Sequence, residues 1–284
     1  MIHSTVAQGG SCTDFAADTA VSTEWSEIRR SKIIFRDRQL ITRNFRPTYP
    51  QELFDYLGNI APSRHLAWDC GTGNGQAALG LASVFDSVIA TDASEKQITN
   101  AALHERVDYR VAPAEDSGID SESVDLIMVA QALHWFDLDR FYAEGQRVLK
   151  TDGVLAASAY NLLQIETAID EVVNQYYSEV VGSFWPPERK LVERFADLPF
   201  PLHEIGPPKF EMRASWNLDH LVGYLRTWSS TQRFIAAKAS DPLKQIMDDL
   251  RAAWGTPEQT RNVIWPLTLR IGRKPRSGGL QSDD

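Results

Sequence analysis

Along the chain the spacing of apolar residues switches back and forth between two periods. Beginning at His65, short apolar runs of strand type alternate with stretches in which apolar residues recur every three or four positions: strand 65–69, helix 75–85, strand 87–92, helix 95–104, strands 107–111 and 124–130, helix 138–149 and strand 154–159. Strand side chains repeat every second residue and helical ones about every 3.6, so the two spacings separate the elements. Strands and helices in this order predict a parallel sheet wound on both faces with right-handed crossovers, an α/β doubly wound fold. Upstream, Pro50 stands at a natural first helical position, and Leu53, Tyr56, Leu57 and Ile60 recur at helical spacing until Pro62 ends the pattern. That helix is expected to cover the sheet before the first strand. Thr23 is placed to cap a further short helix reaching about Phe35.

After Tyr160 the alternation stops. Helical spacing from Ile165 to Val181 leads into the aromatic, proline-rich turn Ser183-Phe184-Trp185-Pro186-Pro187 and resumes over 218–254. Two late runs, 209–216 and 263–273, carry apolar residues in partial alternation and predict strands. The expected organisation is an arm over 1–21, a core over 22–160 including the amino-terminal helices, a helical cap over 161–207 and 218–256 interrupted by a strand at 208–217, a final sheet strand within 257–274, and a disordered tail over 275–284. The cap is expected to lie over the carboxyl ends of the parallel strands. The arm and tail are small, polar and without periodicity.

Composition narrows the setting. A chain of 284 residues can form one large α/β domain, or a domain plus a cap, around a substantial core. Its 29 basic against 38 acidic residues, a formal charge of -9, argue against a general phosphate-neutralising surface and so against nucleic acid as a partner. Cys12 and Cys70 are too few for a disulfide framework or a cysteine metal site, and Cys70 reads as a small packing residue in a reducing compartment. No metal is expected. The first residues lack the basic start and apolar centre of a secretory leader, and no apolar run is long enough to span a bilayer, so a cytoplasmic monomer or homodimer without a membrane partner is expected.

The most informative stretch is Trp68-Asp69-Cys70-Gly71-Thr72-Gly73-Asn74-Gly75-Gln76, directly after the first strand. Glycine tolerates positive φ and lets a ligand approach the backbone, and the helix that follows offers free N–H groups to an anion. The third glycine arrives one residue earlier than the dinucleotide fingerprint requires. Asp69, two residues before the first glycine, would repel a pyrophosphate but pair with an ammonium group. Asp92, ending the second strand about twenty residues on, stands where a ribose diol is read.

These residues, followed in order by Ala114-Glu115-Asp116, Ser123-Val124-Asp125-Leu126-Ile127 and Arg147-Val148-Leu149-Lys150-Thr151-Asp152-Gly153, resemble the class I S-adenosylmethionine-dependent methyltransferases over about 35–274. The resemblance implies a Rossmann-like seven-stranded, mostly parallel sheet with an antiparallel last strand, a helical cap, and S-adenosylmethionine as cofactor, leaving S-adenosylhomocysteine. It further implies cofactor contacts from Asp69, Gly71, Gly73, Asp92, the backbone near Gln131 and, on the adenine side, Glu115, unless Glu115 is simply a solvated loop residue. Phe45-Arg46-Pro47-Thr48-Tyr49-Pro50, Leu225-Arg226-Thr227-Trp228-Ser229 and Trp265-Pro266-Leu267 resemble the trans-aconitate type of small-molecule carboxyl methyltransferase. By that likeness Tyr49 lies over the cofactor.

Methyl transfer is an in-line displacement, so the protein chiefly aligns the reactants and excludes water. Gln131-Ala132-Leu133-His134-Trp135-Phe136, after the fourth strand, should border the reacting centre. His134 is a base, a donor that positions the substrate, or a histidine that binds backbone and closes the pocket. Trp135 either faces the reacting centre or packs beneath the cap. Arg46 either meets an acceptor carboxylate in a bidentate pair or anchors the amino-terminal segment. Tyr160, Trp185, Arg226 and Trp228 either line the acceptor pocket or pack within the cap.

A small-molecule carboxylate oxygen, ionised at neutral pH, is the first-choice acceptor, giving a methyl ester. An amine or phenol with His134 as base is the alternative. A nicotinamide-dependent oxidoreductase and a non-catalytic scaffold are the rival classes, the first opposed by the early third glycine and Asp69, the second by an intact loop flanked by both carboxylates.

Overall fold

The computed structural model describes residues 45–275, which fall within one compact unit. The expected arm, the helix begun by Thr23, Cys12 and residues 276–284 lie outside the described residues. Among the described residues eight strands form one sheet: β1 (Leu66–Cys70), β2 (Ser87–Asp92), β3 (Val107–Val111), β4 (Val124–Ala130), β5 (Leu149–Tyr160), β6 (His203–Ile205), β7 (Phe210–Trp216) and β8 (Arg261–Arg273). Their order is β3-β2-β1-β4-β5-β8-β6, with β7 also paired to β8. The first five are parallel, and β8 runs antiparallel between β5 and the β6–β7 side.

Chain order reverses between β1 and β4, and this switch point opens a crevice beyond their carboxyl ends. The flanking strands are buried on both faces, β4 throughout Val124–Val129, as continuous apolar runs in parallel sheets require. One face packs under helices Gln51–Ile60 and Gln76–Ala82 through Leu53, Phe54, Leu57, Ala78 and Leu81; the other packs through Trp68, Ile127, Val129 and Phe141 with helix Leu138–Val148.

The expected seventh sheet position is filled by two short strands. His203–Ile205 and Phe210–Trp216 run along the same side of β8, with Ile205 opposite Ile271 and Phe210 opposite Leu267. Four residues, Gly206 to Lys209, therefore face three on β8, and Pro207 and Pro208 among them have no N–H for a ladder.

β8 explains the cap. Leu267 pairs with Tyr160 at the carboxyl end of β5, so residues 261–266 continue beyond it, roughly 20 Å of extended chain. β7 pairs with that extension, and Gln164 exchanges two backbone hydrogen bonds with Ile264 on its other side. Met212, Trp216, Val263 and Trp265 from this ribbon form a second core with Ile169, Tyr176, Leu221, Tyr224, Trp228, Leu250 and Trp254 of the helical segments. The cap is thus carried past the parallel strand ends by the antiparallel ribbon on which it packs.

Helices 76–82 and 95–99 end earlier than apolar spacing predicts. Ser83 Oγ donates to the Gly80 carbonyl, while Thr99 Oγ1 and Asn100 Nδ2 donate to the Glu95 and Lys96 carbonyls. These short polar side chains compete with the backbone for the last acceptors. β5 starts at Leu149, not Val154: Val124 faces Leu149 and Leu126 faces Val154, so residues 150–153 stand opposite Asp125 alone as an irregularity within the strand.

A buried carboxylate stitches the segment after β3 to the helix after β4. Glu144 accepts from Ser117 N (2.9 Å) and Ser117 Oγ (2.5 Å) and forms a two-pronged pair with Arg147 Nε and Nη2 (2.7 and 2.8 Å). The Arg147 guanidinium, with the Ser117 donors and against burial, pushes its pKa down to about 2. Glu144→Gln is expected to cost about 2–4 kcal/mol in urea unfolding at pH 7. Because the folded pKa is depressed, that contribution is present above about pH 4.3 and disappears as pH falls through about 2. A variant as stable as wild type at pH 7 would remove this role.

Candidate active site

The loop after β1 is held by backbone bonds from its neighbour: Gly71 N and Thr72 N both donate to the Thr91 carbonyl at 2.9 Å. Gly71, Gly73 and Gly75 all have positive φ. An added Cβ at Gly71 would stand 2.5 Å from Ala132 Cβ, so the loops after β1 and β4 are in direct contact. At Gly73 an added Cβ would meet no heavy atom within 4 Å, leaving open space against the backbone.

Asp69 is fully buried, and Thr72 Oγ1 donates to its Oδ2 at 2.5 Å. Its Oδ1 has no hydrogen-bond partner among the described residues. Burial raises its pKa to about 7, partly opposed by the Thr72 hydroxyl and the Ala78 backbone N–H and reinforced by Asp92. A buried orphaned carboxylate oxygen calls for a cationic or multidonor group. Asp92, half-buried, accepts from Gly73 N on Oδ2 and from Ser94 N on Oδ1, both at 2.9 Å. It braces the loop while each oxygen keeps a lone pair for a further donor. Glu115 Oε1 accepts from Asp137 N at 2.9 Å, tying the segment after β3 to the start of helix Leu138–Val148.

Beyond β4, Gln131 adopts φ 56, an uncommon conformation for a side-chain-bearing residue, with N donating to the Ser158 carbonyl and Nε2 to that of Tyr160. It turns the chain into the short turn Leu133–Trp135. His134 is half-buried with its ring 4.8 Å from the exposed ring of Trp135. Burial pushes the imidazole pKa down to about 4, helped by the Arg189 charge and opposed by Glu188, so it is neutral at pH 7.

Facing this turn is a cavity of about 280 Å³. Arg46, Gln131, His134, Trp135, Tyr160, Trp185 and Trp228, all sequence candidates, line it together with Asn161, Tyr177, Arg189, Tyr224 and Thr227. Arg46 Nη1 donates to Tyr160 Oη at 3.5 Å. Tyr49 lies half-buried between the two regions; burial, with Tyr160 and Asp69 nearby, raises its phenol pKa and keeps it protonated. Arg226 is outside this lining, its guanidinium paired with Asp241 at 2.6 Å. On helix Leu218–Arg226 the buried residues are Leu218, Leu221, Tyr224 and Leu225, and Arg226 follows on the solvent side.

Sequence reading missed Arg189, Tyr177 and Asn161. Tyr177 is delivered by a one-turn π-helix, Tyr176–Val180, and Arg189 by the turn after Pro186-Pro187. Neither register can be read from apolar spacing, although an arginine so soon after Trp185-Pro186-Pro187 was a usable hint. Among the described residues no cluster of His, Cys, Asp and Glu is placed to hold a metal, and no helix is long and apolar enough to cross a membrane.

A doubly wound sheet with an antiparallel closing strand, a glycine loop at the switch point and flanking carboxylates define a class I S-adenosylmethionine-dependent methyltransferase, and the chain belongs to that family. The family model for a methyltransferase domain matches residues 68–157. A Dictyostelium discoideum protein provisionally described as a methyltransferase is 35% identical over 240 residues, 82% of this chain and 91% of its own length. A Saccharomyces cerevisiae protein described as a probable S-adenosylmethionine-dependent methyltransferase is 26% identical over 66% of this chain and 77% of its own. A solved structure from Anaeromyxobacter dehalogenans, provisionally described as a type II methyltransferase, is 47% identical, covers 82% of this chain and 99% of its own, and superposes with a TM-score of 0.77.

Proposed function

We propose that the chain methylates a carboxylate oxygen of a small molecule, in the manner of the trans-aconitate type. One observation carries this reading: the cavity beyond β4 is lined by two guanidinium groups, Arg46 and Arg189, and by no carboxylate among the described residues. An anion is favoured there and an ammonium is not. The segments that carry the subgroup resemblance also converge, since Arg46, Thr227, Trp228 and Ser229 border the cavity and Trp265 Nε1 donates to Tyr224 Oη in its wall at 3.3 Å.

S-adenosylmethionine, when bound, supplies a methyl group on a sulfonium, and its transfer to a carboxylate oxygen gives a methyl ester. In this reading Asp69 takes the ammonium of the cofactor, Gly71 and Gly73 let it lie against backbone, Asp92 takes the ribose hydroxyls and Glu115 the adenine side. The left-handed Gln131 sets the floor between cofactor and acceptor, and Tyr49 closes over the cofactor. The aromatic walls formed by Tyr177, Trp185 and Trp228 exclude water and favour a flat or apolar acceptor body.

The discriminating assay offers labelled S-adenosylmethionine with carboxylic acids, phenols, amines and thiols, then treats products with alkali. A base-labile product is expected; base-stable products alone would defeat the ester.

His134 lines the cavity and keeps the amine or phenol reading in play. An imidazole of pKa about 4 is a weak base for either. With an acid acceptor, His134→Ala is expected to lower kcat less than about tenfold, and wild-type kcat should stay flat from about pH 6 to 9. A fall of about a hundredfold or more, with a rising alkaline limb, would instead make His134 the base.

A further inference from the structure

Arg189 is set in the cavity wall with unusual care for a residue on a five-residue helix. Its Nε donates to Tyr177 Oη at 3.0 Å and its Nη2 to Asn161 Oδ1 at 3.2 Å. The guanidinium carbon lies 5.3 Å from the ring centre of Trp185 and 5.6 Å from that of Tyr177. Tyr177 in turn donates its proton to Glu193, and burial, together with that bond, raises its pKa and keeps the hydroxyl available to do so. The fork is therefore oriented by neutral oxygen acceptors and aromatic faces. Among the described residues no carboxylate makes a direct ion pair with it, unlike Arg147, Arg226 and Arg270. Two of its five N–H donors are spent on Tyr177 and Asn161, leaving a charged, planar and pre-aimed donor set at the cavity.

We propose that Arg189 is the specificity-determining residue of the acceptor site, the group that admits an ionised acid and turns away an amine of the same shape. The proposal rests on the carboxylate reading and adds to it a residue, a selection rule and a direction of discrimination. It also assigns a task to Asn161 and Tyr177: they hold the guanidinium plane so that a carboxylate meets two parallel N–H groups instead of one. The same charge disfavours an imidazolium at His134, so the turn after β4 presents a neutral ring to the acceptor.

The test uses the full chain, with benzoate, cinnamate and hexanoate as acids and benzylamine and hexylamine as matched cations. Binding is measured by calorimetry on protein saturated with S-adenosylhomocysteine, and turnover with labelled S-adenosylmethionine. Arg189→Met is expected to weaken binding of the preferred acid and raise its KM by about a hundredfold, with kcat changed much less and affinity for S-adenosylhomocysteine unchanged. Arg189→Lys should recover part of the loss, since charge returns without the planar fork. The wild-type preference for acid over amine should shrink by a similar factor in Arg189→Met. Unchanged acid KM in Arg189→Met, with acids still methylated, would overturn this inference and leave carboxyl methylation standing. Wild-type protein that binds none of the acids, or methylates only amines, would overturn both. Lost affinity for S-adenosylhomocysteine in both variants would make Arg189 structural and likewise overturn the assignment.

Discussion

Asp69→Asn is expected to weaken S-adenosylhomocysteine binding by about a hundredfold or more while raising the melting temperature of the ligand-free protein. Both effects have one origin. The carboxyl is fully buried with one oxygen bonded to Thr72 and the other orphaned, so in the free protein its charge has too little to rest on. Its folded pKa of about 7 exceeds an unfolded value of about 3.9, so between those values the folded chain holds a proton that the unfolded chain has released. The stability this group contributes is therefore full below about pH 3.9 and is lost as pH rises through about 7. A ligand ammonium favours the ionised form and reverses the balance. Binding should release a proton and tighten from pH 5 toward about 8, a dependence the Asn variant lacks. Calorimetry in buffers of different ionisation heat counts that proton. Equal affinity in the variant, or no proton release, would sink the role given to Asp69.

Gly71→Ala and Gly73→Ala should both be severe, in different ways. At Gly71, with φ 71, a Cβ would fall 2.5 Å from Ala132 Cβ and 3.1 Å from Phe136 Cζ. The Ala132 methyl cannot rotate away, so the loops after β1 and β4 must part, at a cost of about 2–4 kcal/mol in denaturant unfolding. At Gly73, with φ 57, the same methyl meets nothing within 4 Å. The backbone penalty there is about 1–2 kcal/mol, but the methyl fills the space a ligand needs, and S-adenosylhomocysteine affinity should fall by about a hundredfold. Near wild-type affinity in Gly73→Ala would mean that the cofactor does not lie against this loop.

Much of the sheet was legible because a parallel strand buried on both faces leaves an unbroken apolar run, as Val124 to Ala130 does, and because Asp69 and Asp92 end such runs. The Arg226 miss was avoidable. At about 100° per residue, a helix that buries Tyr224 and Leu225 carries Arg226 toward solvent, where Asp241 meets it. Arg189 was not legible in that way. Its place depends on a π turn, a Pro-Pro turn and the extension of β8, and none of these leaves a periodic trace in the residues around it. β6 escaped for a related reason: three residues form a strand only because β8 is long enough to pair with two partners on one side. The physics of local burial reaches the glycine-loop half of the candidate site, whereas the cavity beyond β4 is assembled from distant pieces whose meeting is a property of the whole fold.

The break between β6 and β7 bears on how copies of this protein could meet. A sheet border with a full row of free N–H and C=O groups is a template for another chain. Here that border carries Gly206, Pro207 and Pro208 at its midpoint, so an incoming strand would find its row of donors interrupted and a one-residue slip in register. Continuous strand addition on this side is opposed by that interruption, and the opposite border of the sheet is β3, where Asp108 and Arg110 pair with each other.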